Sequence, residues 1–150
     1  MTIIACVDLR MGLSFNGKRP TRDKLIVRHI LTNCDPKLGL TVTPRSARYI
    51  MDSIKALDET LIVPLHVVPE LTPEQVQSSD VFIETGTPDS ISDLLDMADH
   101  VILYVWNTTY MYTEQFPDIQ NQSCWTLTHA ETIEGSSHDE VIIQLYERNA

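Results

Sequence analysis

Apolar residues fall into short runs along this chain, at Thr2–Val7, Leu61–Leu65, Val81–Ile83 and Val101–Trp106, with helix-like polar segments between them. Runs this short and this rich in Val, Ile and Leu predict strands buried on both faces of a sheet, with helices packed over it. Gly39–Thr43 is a weaker member of the same series. Helix starts are marked by one recurring device. Thr43-Pro44, Thr72-Pro73 and Thr87-Pro88 each put a hydroxyl at the N-cap and a proline at the first helical position, where a missing N–H costs nothing. Thr72-Pro73-Glu74-Gln75 also has the spacing of a capping box. An earlier helix is predicted from Thr21 to about Asn33, with Leu25, Ile26, His29 and Ile30 inward and Lys24 and Arg28 in water.

Beyond Trp106 the pattern changes. Trp125-Thr126-Leu127-Thr128-His129-Ala130 alternates apolar and polar residues, and Val141–Tyr146 is a second β-rich run, with Gly135-Ser136-Ser137-His138 between them. This predicts an antiparallel pair closing one edge of the sheet. Asn107–Gln122 is long, polar and aromatic, and its Phe116-Pro117-Asp118 predicts a turn there rather than regular structure. The expected fold is α/β: a largely parallel central sheet with three or four flanking helices and a C-terminal antiparallel edge, in a single domain over residues 1–150.

Composition narrows the class. With 150 residues, 43% apolar and 21% charged, the chain has material for one core, and no apolar run reaches the roughly 18 residues of a membrane-spanning helix. The apolar residues before Asp8 fall short of a secretory h-region, so neither export nor membrane association is expected. Cys6, Cys34 and Cys124 are odd in number and far apart, which predicts a reducing cytoplasm and no disulfide framework. Cys6, inside Ile3-Ile4-Ala5-Cys6-Val7, reads first as a small buried hydrophobe.

The net charge of −10 is unevenly spread. Residues 1–55 carry ten of the eleven Lys and Arg and four acids, whereas residues 56–150 carry Arg148 alone against seventeen acids. If the fold keeps these groups apart, a basic surface lies beside an acidic one. Phosphates or carboxylates would then be drawn to the N-terminal third. The acidic remainder repels nucleic acid, so direct nucleic-acid binding is not expected.

Known chemical motifs are mostly missing. The sequence has neither a Gly-x-x-x-x-Gly-Lys-Ser phosphate loop nor a Gly-x-Gly-x-x-Gly turn. A binuclear zinc hydrolase, ribonuclease Z included, needs clustered histidines, and His29, His66, His100, His129 and His138 never reach that spacing. No metal site is predicted. Ser136-Ser137-His138-Asp139 holds the residue types of a hydrolase triad, but neighbours in sequence cannot adopt triad geometry, so it reads as a loop. Tyr104, Trp106, Tyr110 and Tyr112 read as a core strand followed by a half-buried loop, with stacking on a planar ligand as the alternative.

Three blocks resemble the dihydrofolate reductase family. Ile3-Ile4-Ala5-Cys6-Val7-Asp8 with Gly12-Leu13 and Asn16-Gly17-Lys18-Arg19-Pro20 is similar to that family's first strand and following loop. Ala98-Asp99-His100-Val101-Ile102-Leu103, with Phe116-Pro117 downstream, resembles its penultimate block, and Val141–Arg148 its last strand. The resemblance implies that Asp23 is the catalytic carboxylate that binds and helps protonate a pterin, with Cys6, Asp8 and Arg19 beside the substrate. It further implies that Thr43, Arg45, Ser46, Thr85 and Gly86 stand where the family holds NADPH phosphates. Here the sequence departs from the pattern. A glycine is absent near Thr43-Pro44-Arg45-Ser46, Thr85-Gly86 replaces Gly-Gly, Glu84 brings a like charge, Thr21 stands where the family usually has Trp, and the Ile50–Val81 interval is short. These departures weigh against NADPH as a working cofactor.

Two functions are therefore expected in competition. One is a diverged domain that binds a pterin-like or nucleotide-like small planar ligand, with NADPH-dependent reductase activity reduced or lost. The other is a non-enzymatic acidic protein that engages a basic protein partner, as a nucleic-acid mimic or inhibitor would.

Overall fold

Along Thr2–Val7, Ile3, Ala5 and Val7 enter one apolar cluster while Ile4 and Cys6 turn to the other, the period-two alternation of a strand covered on both faces. In the computed structural model, which describes residues 1–76 and 79–150, this strand (β1) lies at the centre of a seven-stranded sheet. The remaining strands are β2 (Gly12–Ser14), β3 (Leu40–Val42), β4 (Leu65–Val67), β5 (Asp80–Ile83), β6 (His100–Trp106), β7 (Glu114–Gln115), β8 (Trp125–Ile133) and β9 (Val141–Arg148). The helices are α1 (Lys24–Asn33), α2 (Pro44–Ala56) and α3 (Pro88–Leu95). The large sheet runs β4-β3-β5-β1-β6-β9-β8. Pairing is parallel from β4 to β6 and antiparallel for β9 and β8, as expected.

Two cores result. α1 and α2 pack on the face of Ile4, Phe82, Tyr104 and Ile143, and α3 packs on the face of Ile3, Val81, Val101 and Tyr146. Charge follows the same division. α1 and α2 carry Lys24, Arg28, Arg45, Arg48 and Lys55, whereas α3 exposes Asp89 and Asp93.

Local sequence rules account for most boundaries. The Thr43 and Thr87 hydroxyls accept from the amides of Ser46 and Ser90, with Pro44 and Pro88 at the first helical positions. Three expectations need correction, and one falls partly outside the described residues. α1 starts at Lys24 and not Thr21, because Asp23 takes the cap and an extended backbone. At Thr72-Pro73 the described residues form one turn, closed by the Val76 amide on the Thr72 carbonyl, and the continuation of the expected helix falls on residues 77 and 78, outside the described residues. The strand expected at Leu61–Leu65 is displaced to Leu65–Val67, since Pro64 has no N–H for the ladder, though its carbonyl accepts from Leu40. The segment Asn107–Gln122 is not wholly irregular, because β7 pairs with β2 in a small second sheet.

Gly39 precedes β3 at φ +78°, where an added Cβ would press on Pro64. Gly39→Ala is expected to cost about 1–3 kcal/mol by combining a strained φ with overpacking, read as a lower urea midpoint at an unchanged m-value.

Candidate functional site

Parallel strands deliver their carboxyl ends to one edge of a sheet, where ligands of open α/β folds bind. At that edge β1 ends near Cys6, β3 runs into Thr43, β5 into Glu84 and β6 into Trp106. The loop after β2 brings Arg19 across them. Its guanidinium grips Glu84 with two bonds, Nε to Oε2 at 2.6 Å and Nη2 to Oε1 at 2.7 Å, and lies 4.0 Å over the Tyr49 ring. Ser46 Oγ donates to Glu84 Oε1 at 2.6 Å. The Arg19 and Glu84 side chains are only 16% and 12% exposed, so this is a largely desolvated pair.

The pair forms the wall between two spaces. Behind it lies a small, partly open chamber lined by Cys6, Leu13, Tyr49, Ile83 and Trp106, whose free volume of about 10 Å3 is about that of one water. Burial pushes the Cys6 thiol well up, and the charges of Glu84 and Asp23 push it further. Burial likewise raises the Tyr49 hydroxyl. Trp106 is 2% exposed and its indole Nε1 has no hydrogen-bond partner among the described residues. In front of the pair lies an outer cavity of about 370 Å3, lined by Gly17, Thr43, Arg45, Ser46, Arg48 and Thr85. Arg45 Nη1 donates to the Gly17 carbonyl at 2.7 Å.

The cofactor-type residues Thr43, Arg45, Ser46 and Thr85 thus share one cavity, and Gly86 stands beside it. The Gly86 amide donates to Glu114 Oε2 at 3.1 Å, while Glu114 Oε1 accepts from Ser14 Oγ at 2.6 Å. A carboxylate of the chain itself therefore occupies this backbone donor. Of the substrate-type residues, Cys6 and Arg19 meet at the chamber. Asp8 does not join them. Its Oδ1 accepts from the amides of Arg10 and Gly12 and its Oδ2 from that of Tyr110, which builds the turn after β1.

Asp23 lines neither space. It is fully buried, and Oδ1 accepts from the amides of Leu25, Ile26 and Ser136 and from the Ser136 hydroxyl, at 2.9–3.1 Å. Oδ2 accepts from the Ser137 amide at 2.9 Å and hydroxyl at 2.7 Å. Burial alone would raise this carboxyl, but the amides of Ser136 and Ser137, the Ser137 hydroxyl and the Ile26 amide outweigh it and hold it below the ordinary carboxylate value. An added Cβ on Gly135 would collide with the Asp23 carboxylate, so only glycine allows the approach.

The serine-histidine segment is a loop, as expected, with an ordered proton pattern. Ser137 has one hydroxyl proton and gives it to Asp23, so its 2.7 Å contact with His138 Nδ1 requires the proton on that nitrogen. His138 Nε2 then accepts from the Tyr110 hydroxyl at 2.6 Å, with the ring stacked 5.0 Å from Trp106. The hydroxyl of Ser137 is directed away from the imidazole, the reverse of an activated nucleophile. Tyr104 and Trp106 are buried core residues, and Tyr110 and Tyr112 are half-buried in the loop that follows.

Comparison with solved structures decides the fold. Dihydrofolate reductase from Enterococcus faecalis, solved in complex with NADP(H) and RAB-propyl, superposes with a TM-score of 0.63 over 99% of this chain and 96% of its own, at 13% identity. The chain has the dihydrofolate reductase fold. No protein-family model matches it. No curated protein matches it either. Tyr49 and Trp106 line the chamber beside Arg19 and Glu84, though the sequence pattern leaves Tyr49 unassigned and reads Trp106 as core. Tyr49 could have been found as the helix position three residues after Ser46, facing the same edge.

Asp23 and the ion pair yield two tests. Because the Asp23 carboxyl is lowered in the folded state, its contribution is complete above the unfolded value near about 4 and is lost as pH falls through the lower folded value. Asp23→Asn is expected to cost about 2–4 kcal/mol at pH 7 and to reduce the acid-induced loss of stability, measured by urea unfolding at pH 7 and pH 3. Arg19→Met or Glu84→Met alone should each cost about 3–5 kcal/mol by stranding a partly buried charge, and the double variant should recover much of that loss in a double-mutant cycle.

Proposed function

We propose that the protein binds a phosphate-bearing, nucleotide-like ligand in the outer cavity and has lost the turnover of a dihydrofolate reductase. The observation that carries this reading is that Thr43, Arg45, Ser46 and Thr85 line one open space with Arg48, while the chamber behind Arg19–Glu84 holds about 10 Å3. Arginine forks and a helix-capping hydroxyl suit phosphate oxygens. A pterin ring has no room behind the ion pair, and the acid that would protonate it has both oxygens committed to the Ser136–Ser137 loop. Asp23 acts in this reading as a positioning residue that ties α1 to the β8–β9 connection. NADPH is the first ligand to test, because the similar solved reductase is in complex with NADP(H). Glu114 on the Gly86 amide opposes a diphosphate there, so a nucleotide monophosphate is expected to bind better than the dinucleotide.

The exposed Asp89, Asp93 and Asp96 support the second reading, an acidic face for a basic protein partner. A partner captured on that face should elute with steep salt dependence, and one retained at high salt would count against it.

Thermal melting of the full chain tests the first reading. A nucleotide at ten times its Kd stabilises by about 1.4 kcal/mol, which for a domain of this size is about 3–6 °C. Adenosine monophosphate is expected to raise Tm by that amount, Arg45→Ala combined with Arg48→Ala to abolish the shift, and a folate analogue to give none. NADPH consumption with dihydrofolate should stay at background. No shift with any nucleotide at millimolar concentration would overturn the reading, as would steady reductase turnover.

A further inference from the structure

We propose that the Arg19–Glu84 ion pair is a latch between the outer cavity and the inner chamber, released when an oxyanion in the outer cavity takes the Arg19 guanidinium from Glu84. This rests on the reading that the outer cavity receives phosphate. Two observations carry the latch itself. First, Arg19 and Glu84 line both spaces, so moving either side chain joins them. Second, a phosphate offers the Arg19 fork the same paired oxygens that Glu84 now supplies, Glu84 keeps the Ser46 hydroxyl as a donor when Arg19 leaves, and the neighbouring Arg45 and Arg48 favour an incoming anion. Tyr49 limits the movement to a slide, since its ring supports the guanidinium at 4.0 Å in the closed state.

Cys6 reports the state of the latch, because its half-buried thiol lines the chamber behind the pair and gains access when the pair parts. The experiment is N-ethylmaleimide labelling of the full chain, read at Cys6 by peptide mass spectrometry, with and without inorganic phosphate. Cys34, buried in the core under α1, is the internal control for general loosening. Phosphate is expected to raise the Cys6 rate in the unaltered protein by roughly tenfold, the factor that corresponds to about 1.4 kcal/mol of lost latch stability. Glu84→Gln is expected to raise it to a similar extent without phosphate, and Arg19→Met to raise it and remove the phosphate dependence. Cys34 should not respond to phosphate in the unaltered protein, and in the two variants it should rise by less than Cys6. Equal rates at Cys6 in the unaltered protein and both variants would overturn the proposal, as would parallel rises at Cys6 and Cys34. Phosphate that raises Tm without raising Cys6 labelling overturns the latch and leaves the outer-cavity reading standing. Phosphate without effect on either measurement, in a protein that Glu84→Gln opens, overturns the outer-cavity reading and the anion trigger with it.

Discussion

Because β1 pairs in parallel with both β5 and β6, every strand from β4 to β6 must end at the same edge of the sheet, and the chain must leave that edge through helices or loops. The site follows from that constraint. Thr43 is the last extended residue after β3 and the cap of α2. Glu84 follows β5, two residues before Gly86, and Trp106 closes β6. None of these side chains needs a special conformation to converge. The parallel register places them, and the loop carrying Arg19 has only to fold over the edge.

What the chain puts at that edge differs from an open ligand cleft. Glu84 answers Arg19, and Glu114 answers the Gly86 amide, so both groups best suited to an external anion are met by internal carboxylates. A desolvated arginine-carboxylate pair is held mainly because breaking it strands a charge. The helix-capping side of the outer cavity, with Arg45 and Arg48, has no such internal answer among the described residues beyond the Arg45 contact to the Gly17 carbonyl.

The limits of sequence reading have physical causes. β1, α2, α3 and the β8–β9 pair were legible because alternation and Thr-Pro caps are local rules. At Thr72 the same signals lead only to a turn among the described residues, closed on the Thr72 carbonyl. Glu84 was noticed in the sequence as a like charge near the phosphate turn, yet its role depends on Arg19, 65 residues away. Asp23 was legible as an acid near a helix start. Its burial was not, since that is created by Ser136 and Ser137 from the far end of the chain.

That last separation bears on how the protein is made. As a nascent chain leaves the ribosome, α1 can cap itself through the Asp23 bonds to Leu25 and Ile26, but the other half of the carboxylate's partners are synthesised 114 residues later. Until then water must serve the remaining lone pairs. α1 is therefore translated well before its environment is complete, and reaches it only once the β8–β9 connection has emerged.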